Sequence, residues 1–169
     1  MIKIMTCSLA LMLGFFCSFV WAEGGAYQIE LIVFSQAMPT TEAFEQMSSQ
    51  IIWPTGLTEL STYKKTEATT LDQGYAAILN DSTYQPVLRV AWVQSDLNVP
   101  VHVQSSDGRL NGYLQLQQDP SLQMMVDLEL AANPGEAVYR LTEKRPVKLN
   151  EVYYLDHPKF GVLVKISLF

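Results

Sequence analysis

The sequence predicts an α+β fold: a largely antiparallel sheet of about seven strands with one or two helices packed on one face, opening as β-α-β and continuing as a meander. Three observations carry this expectation. From Val99 to Leu168, apolar residues alternate with polar ones in run after run, the period of half-buried strands. Only Leu71, Tyr75, Ile78 and Leu79 recur at i, i+4, i+7 and i+8, the period of a helix with one apolar stripe. Clusters of Gly, Asn, Asp, Ser and Pro separate the runs at short intervals, supplying turn chemistry where an antiparallel meander needs it.

Taken in order, Ala26 to Phe34 begins with alternation and ends apolar on both faces, which suits a strand that starts near an edge and enters a covered sheet. Residues 39–70 carry the weakest pattern: Thr41 to Gln50 suggests a short helix with Phe44 and Met47 on one side, stopped by Ile51-Ile52-Trp53-Pro54. The helix over Leu71 to Asn80 ends at Asn80-Asp81-Ser82, and Val87 to Gln94 follows as a buried strand. Val99 to Gln104 is a short strand closed by the turn Ser105-Ser106-Asp107-Gly108. Leu110 to Gln117 and Leu122 to Leu130 alternate around Gln118-Asp119-Pro120-Ser121, the clearest hairpin in the chain. Asn133-Pro134-Gly135-Glu136 leads into Val138 to Glu143, Pro146 to Leu155 is the next strand, and Asp156-His157-Pro158 turns into the last, Phe160 to Leu168. The polar faces of these strands are expected to be wet and the apolar ones to pack on the helix.

The first residues have the form of a secretory signal peptide: Lys3 precedes an apolar stretch from Ile4 to Ala22, and Val20-Trp21-Ala22 predicts cleavage after Ala22. Residues 23–169 are then one periplasmic domain. An uncleaved N-terminal anchor is the rival reading, favoured by the bulky Trp21. Lipidation of Cys17 is disfavoured by Phe15 and Phe16 before it. Both cysteines, Cys7 and Cys17, lie inside the leader, so the mature chain would have no disulfide, no thiolate nucleophile and no Cys-based metal site. Losing Lys3 leaves 10 basic against 17 acidic residues, a formal charge of −7, which repels nucleic acid and anionic lipid.

Chemistry is sparse. His102 reads as a solvated strand histidine, with no carboxylate at ligand spacing. Asp156 and His157 invite an acid-base reading, yet adjacent residues seldom face one another, and Asp-His-Pro between apolar runs is well explained as a turn. No nucleophile elbow, phosphate loop or His-Glu-x-x-His occurs, and Glu30, Asp127, Glu129 and Glu151 show no selected pair for glycoside hydrolysis. The residues call for no catalytic group, no metal and no cofactor. Aromatics offer binding instead: Trp53, Trp92, Tyr113, Tyr139, Tyr153 and Tyr154 could stack on sugar rings, with Tyr113 the most exposed by pattern and Trp92 assigned to the core beside Leu88 and Val90. Lys144-Arg145 and Lys148 form the one basic cluster, able to meet a carboxylate or to guard an edge. The candidate ligand-binding residues are therefore Tyr113, Arg145, Tyr153, Tyr154, Asp156 and His157.

The string from Leu149 through Asn150-Glu151, Tyr153-Tyr154, Asp156-His157-Pro158 and Phe160-Gly161 to Lys165-Ile166 resembles the C-terminal signature of the CsiV family of periplasmic peptidoglycan-binding proteins. Tyr27 to Phe34 and Leu88 to Gln94 resemble its opening strand and its Trp-containing strand. The chain departs at Arg89, where a histidine is common, and at Lys144-Arg145, where two arginines are. The resemblance implies a role in cell-wall assembly: binding peptidoglycan and promoting a class A penicillin-binding protein together with its LpoA-type lipoprotein activator. It assigns no ligand contacts. Two other readings stand beside it, a small wall-modifying hydrolase using Asp156 and His157, and a protein-protein adaptor or inhibitor of the envelope.

Overall fold

A computed structural model describes residues 25–37, 47–67 and 69–169. The expected leader, residues 1–22, lies outside the described residues, as does most of the helix expected over 41–50.

Ten strands form two five-stranded sheets. The first sheet is ordered β3 (Lys64–Lys65), β4 (Tyr84–Gln94), β1 (Tyr27–Gln36), β10 (Phe160–Leu168), β9 (Val152–His157). The second is ordered β2 (Thr58–Glu59), β5 (Val101–Gln104), β6 (Leu110–Gln118), β7 (Leu122–Ala131), β8 (Val138–Pro146). All pairings are antiparallel except the short β2 on β5. Among the described residues there is one short helix, α1 (Asp72–Asn80), and one three-residue 3-10 turn, Leu60–Thr62.

The expected single sheet of about seven strands is thus corrected to two sheets. Alternation shows that a strand has one apolar face but not what covers it. Here the apolar faces cover each other: Ile29, Leu31, Val33, Trp92, Leu155, Val162 and Val164 of the first sheet share one core with Val101, Leu110, Leu114, Leu116, Met124, Val126 and Leu128 of the second. The first sheet is covered twice, since Ile32 and Phe34 on its other side pack with Leu71 and Ile78 of the helix segment. This is why β1 reads apolar on both faces. It is also central, pairing β4 and β10 along its length, and not the near-edge strand its first residues suggest.

Local sequence explains the details. The β1–β4 register shifts between Val33 and Phe34, opposite Leu88 and Pro86, and this bulge lets a strand contain a proline that cannot donate to the ladder. The expected helix is present, but Leu79 is 58% exposed because it lies about 80° around the helix from the line of Leu71, Tyr75 and Ile78. Helix α1 has no side-chain cap at its first residues; the buried carboxylate of Glu30 on β1 replaces one, accepting from the N–H groups of Thr70 (2.6 Å) and Leu71 (3.1 Å). The expected strand Pro146 to Leu155 is divided, β8 ending at Pro146 and β9 starting at Val152, with Asn150 between them at φ 65°.

Candidate functional site

The outward face of the second sheet is polar by alternation, and the register stacks its side chains in rows. Glu59, His102, Tyr113, Asp127 and Thr142 lie in line across β2, β5, β6, β7 and β8, and Gln104, Asn111, Glu129 and Arg140 form the next line. This face was expected to be wet. The segment from Met47 to Glu59 instead runs across it, from an isolated bridge between Met47 and Val138, through a Gln50 N–H donated to Glu129 Oε1 at 2.8 Å, to the pairing of β2 on β5.

Under this strap Tyr113, Asp127 and Glu129 are buried. Asp127 receives two bonds from Arg140 (2.8 and 2.6 Å) and one from the Thr142 hydroxyl (3.0 Å). Those bonds raise the Arg140 pKa above its ordinary value. Tyr113 is only 7% exposed, which corrects its expected place as the most exposed aromatic. Burial, with the Asp127 carboxylate next in line, pushes its hydroxyl above the usual 10.0, so it stays protonated.

On this face the aromatic that reaches solvent is Trp53 of the strap, 42% exposed. It stands edge-on to His102, ring centres 5.4 Å apart, and 6.4 Å from Tyr113. His102 is not a lone solvated histidine either: Nδ1 lies 2.9 Å from Glu59 Oε1 and Nε2 2.8 Å from Asn111 Oδ1. With both ring nitrogens engaged, the imidazole serves better as a fixed support for Trp53 than as a free base. Beyond Asn111 the face opens into a cleft of about 460 Å³, lined by Ser48, Ser49, Arg109, Asn111, Glu129 and Glu136 among others. That volume lies within the range of small-molecule sites.

The other expected site residues fall elsewhere, in three places. Arg145 lies 5.6 Å over the Tyr153 ring and 3.1 Å from Glu143. The Tyr153 hydroxyl donates to Glu151 and accepts from the Lys148 N–H. On the opposite face of β9, Tyr154 stacks on Phe34 and donates to Asp156 Oδ1 at 2.6 Å; burial and that carboxylate push its pKa up to about 12. His157 packs against Tyr139 and Phe160, and its Nδ1 accepts the Lys159 N–H at 3.1 Å. Successive residues of a strand point to opposite faces, so Asp156 and His157 do not face each other as an acid-base pair; the expected turn lies one step later, at Pro158-Lys159, with Asp156 and His157 paired to Gly161 and Phe160 at the end of β9. The scattered carboxylates behave likewise. Glu30 caps α1, Asp127 is spent on Arg140, and Glu151 sits beside Lys148.

Sequence reading missed the assembly because Trp53, Glu59 and Gln50 are distant in the chain from β5 to β7. One signal was legible: Asp127 and Glu129 place two carboxylates on the polar side of an otherwise apolar strand, with Arg140 and Thr142 one hairpin away.

Comparison with known proteins places this geometry in context. The family model described as "Peptidoglycan-binding protein, CsiV" matches residues 59–169, from the last residue of β2 to the last residue of the chain, taking in α1 and strands β3 to β10 and leaving out β1. Searches of curated proteins and of solved structures returned no match.

Proposed function

The chain belongs to the CsiV family of peptidoglycan-binding proteins, and on that premise we propose that it is a non-enzymatic wall-binding protein of the periplasm that engages peptidoglycan on the outward face of the second sheet. The single observation that carries the placement is Trp53: a half-exposed indole edge-on to a histidine whose own nitrogens are engaged, one of them by Asn111, which lines the neighbouring cleft. An aromatic braced by His102 and Tyr113, with Glu59 and Asn111 held on that histidine, suits a sugar ring, which offers an apolar C–H face to stack and hydroxyls at its edge. The binding role also agrees with how the titratable groups are used, since Asp127, Glu30 and Asp156 are all committed to internal partners. Among the described residues no helix is long and apolar enough to cross a membrane.

The finer role follows from the family resemblance: support of wall assembly by promoting a class A penicillin-binding protein together with its LpoA-type lipoprotein activator. The adaptor reading differs from this in predicting partner capture without wall affinity. A sacculus pull-down tests the proposal. The wild-type protein is expected to sediment with purified sacculi and the Trp53→Ala variant to shift to the supernatant, its fold intact because that side chain is half in water. Wild-type protein remaining in the supernatant while a known wall binder sediments would end the wall-binding reading. Synthase assays with and without the lipoprotein test the regulatory role, and release of muropeptides from sacculi would restore the hydrolase reading.

A further inference from the structure

The cleft beyond Asn111, on the same face of the second sheet as Trp53, carries a distinct charge pattern. Three charged residues line it, Arg109, Glu129 and Glu136. Arg109 is neutralised from outside, its Nε donating to Asp107 Oδ2 at 2.7 Å, so the two glutamates set the sign. Glu129 is the unusual one, for it is 2% exposed. Its Oε1 accepts the Gln50 N–H, while Oε2 has no hydrogen-bond partner among the described residues. No side-chain oxygen there is both sealed from solvent and unpartnered, so Oε2 opens on the cleft. Arg140 stands opposite Glu129 on β8 and feels its charge, but its hydrogen bonds go to both Asp127 oxygens and none reaches Glu129.

With Arg140 hydrogen-bonded to Asp127, Glu129 has no hydrogen-bonded counter-ion, and a mostly buried carboxylate gains from a cation that meets its remaining oxygen directly. No three acidic, histidine or cysteine residues gather among the described residues, too few hard ligands for a metal ion. A primary ammonium needs less: one or two carboxylates, plus amide and hydroxyl oxygens such as those of Asn111, Ser48 and Ser49. We propose that the Glu129 cleft binds a free primary ammonium, supplied by the diamino-acid side chain of an uncrosslinked peptide stem. This rests on the wall-binding reading. A crosslink converts the acceptor stem's amine to a neutral amide and leaves the donor stem's own amine free, so the cleft would make the protein a reader of stems not yet used as crosslink acceptors, with Trp53 taking a neighbouring sugar.

The test measures affinity for a soluble disaccharide-peptide carrying the free side-chain amine, and for the same molecule after acetylation of that amine. The wild type is expected to prefer the free amine by about tenfold, the scale of one charge-assisted hydrogen bond. Glu129→Gln keeps the shape and the acceptor for Gln50, and is expected to bring the ratio to about one. Glu136→Gln, at an exposed position, is expected to lower it part of the way and serves if the first variant fails to fold. Equal wild-type affinity for the two forms overturns the inference while wall binding stands. Binding of neither form overturns both. A glucosamine oligomer, whose ammonium groups sit on the sugar, is the third probe: tighter binding of it than of the free-amine muropeptide would overturn the peptide assignment.

Discussion

Replacing Asp127 by alanine tests whether the strap-covered face is built as described. The side chain is 4% exposed and its Arg140 partner 21%. The substitution deletes two charge-assisted bonds and the Thr142 bond, and leaves a largely covered guanidinium without its counter-ion. Breaking one side of a buried pair costs about 3–5 kcal/mol, mostly the penalty of the orphaned charge. Arg140 keeps some contact with water and faces Glu129, so the low end applies, ~3 kcal/mol. At roughly 2–4 °C of melting temperature per kcal/mol for a chain of this size, a fall of roughly 6–12 °C is expected. Urea unfolding followed by tryptophan fluorescence gives the free energy, and a thermal melt gives the second reading. Glu143→Ala is the control, because it removes the partner of Arg145 from a pair with both members well exposed and should cost under about 1 kcal/mol. The reasoning is refuted if Asp127→Ala costs no more than that control. Converting both Asp127 and Arg140 to apolar residues of similar volume should recover much of the loss, since no charge is then stranded.

Three further outcomes are expected. Gly112→Ala should abolish soluble expression or cost more than about 4 kcal/mol, because at φ 152° a new Cβ would stand 2.1 Å from the Asp127 carbonyl oxygen and 2.8 Å from Leu128 Cα; a variant melting within a few degrees of wild type would contradict the close approach of β6 and β7. Glu30→Ala should cost about 2–3 kcal/mol and raise hydrogen exchange across Thr70 to Asn80, since two N–H groups lose their acceptor; unchanged protection of that segment would deny the capping role. His157 should titrate below its ordinary 6.5, because burial lowers it more than Asp156 raises it, with Lys159 adding to the depression. The fold then favours the neutral ring, so stability from this site is present above pH 6.5 and is lost as pH falls through the folded pKa. Ring-proton NMR gives the midpoint, and His157→Gln should flatten the melting-temperature profile over that window.

Legibility followed the range of the interactions. The hairpin from Leu110 to Leu130, the helix after Leu71 and the turn at Pro158-Lys159 depend on neighbours in the chain, and their positions were readable to within a residue or two. Tyr154 and Asp156 were candidates separately and meet because they are two apart on one face of a strand, whereas the adjacent pair that drew attention, Asp156 and His157, points to opposite faces. His102 was read as a lone residue because its partners, Glu59 and Asn111, arrive by strand pairing, and one of them lies 43 residues away. Tyr113 was read as exposed because alternation marks the side of a sheet and says nothing of a strap laid over it.

By itself, the sequence determined which residues alternate, where the chain turns, the acidic balance, and, through the string from Leu149 to Ile166, the family. Only the tertiary structure decided that the apolar faces of two sheets meet each other, and that Trp53, His102, Asn111 and Glu129 share one surface. The physical reason is that periodicity encodes a face and local chemistry encodes a turn, whereas the partner of a face is chosen by burial summed over the whole chain.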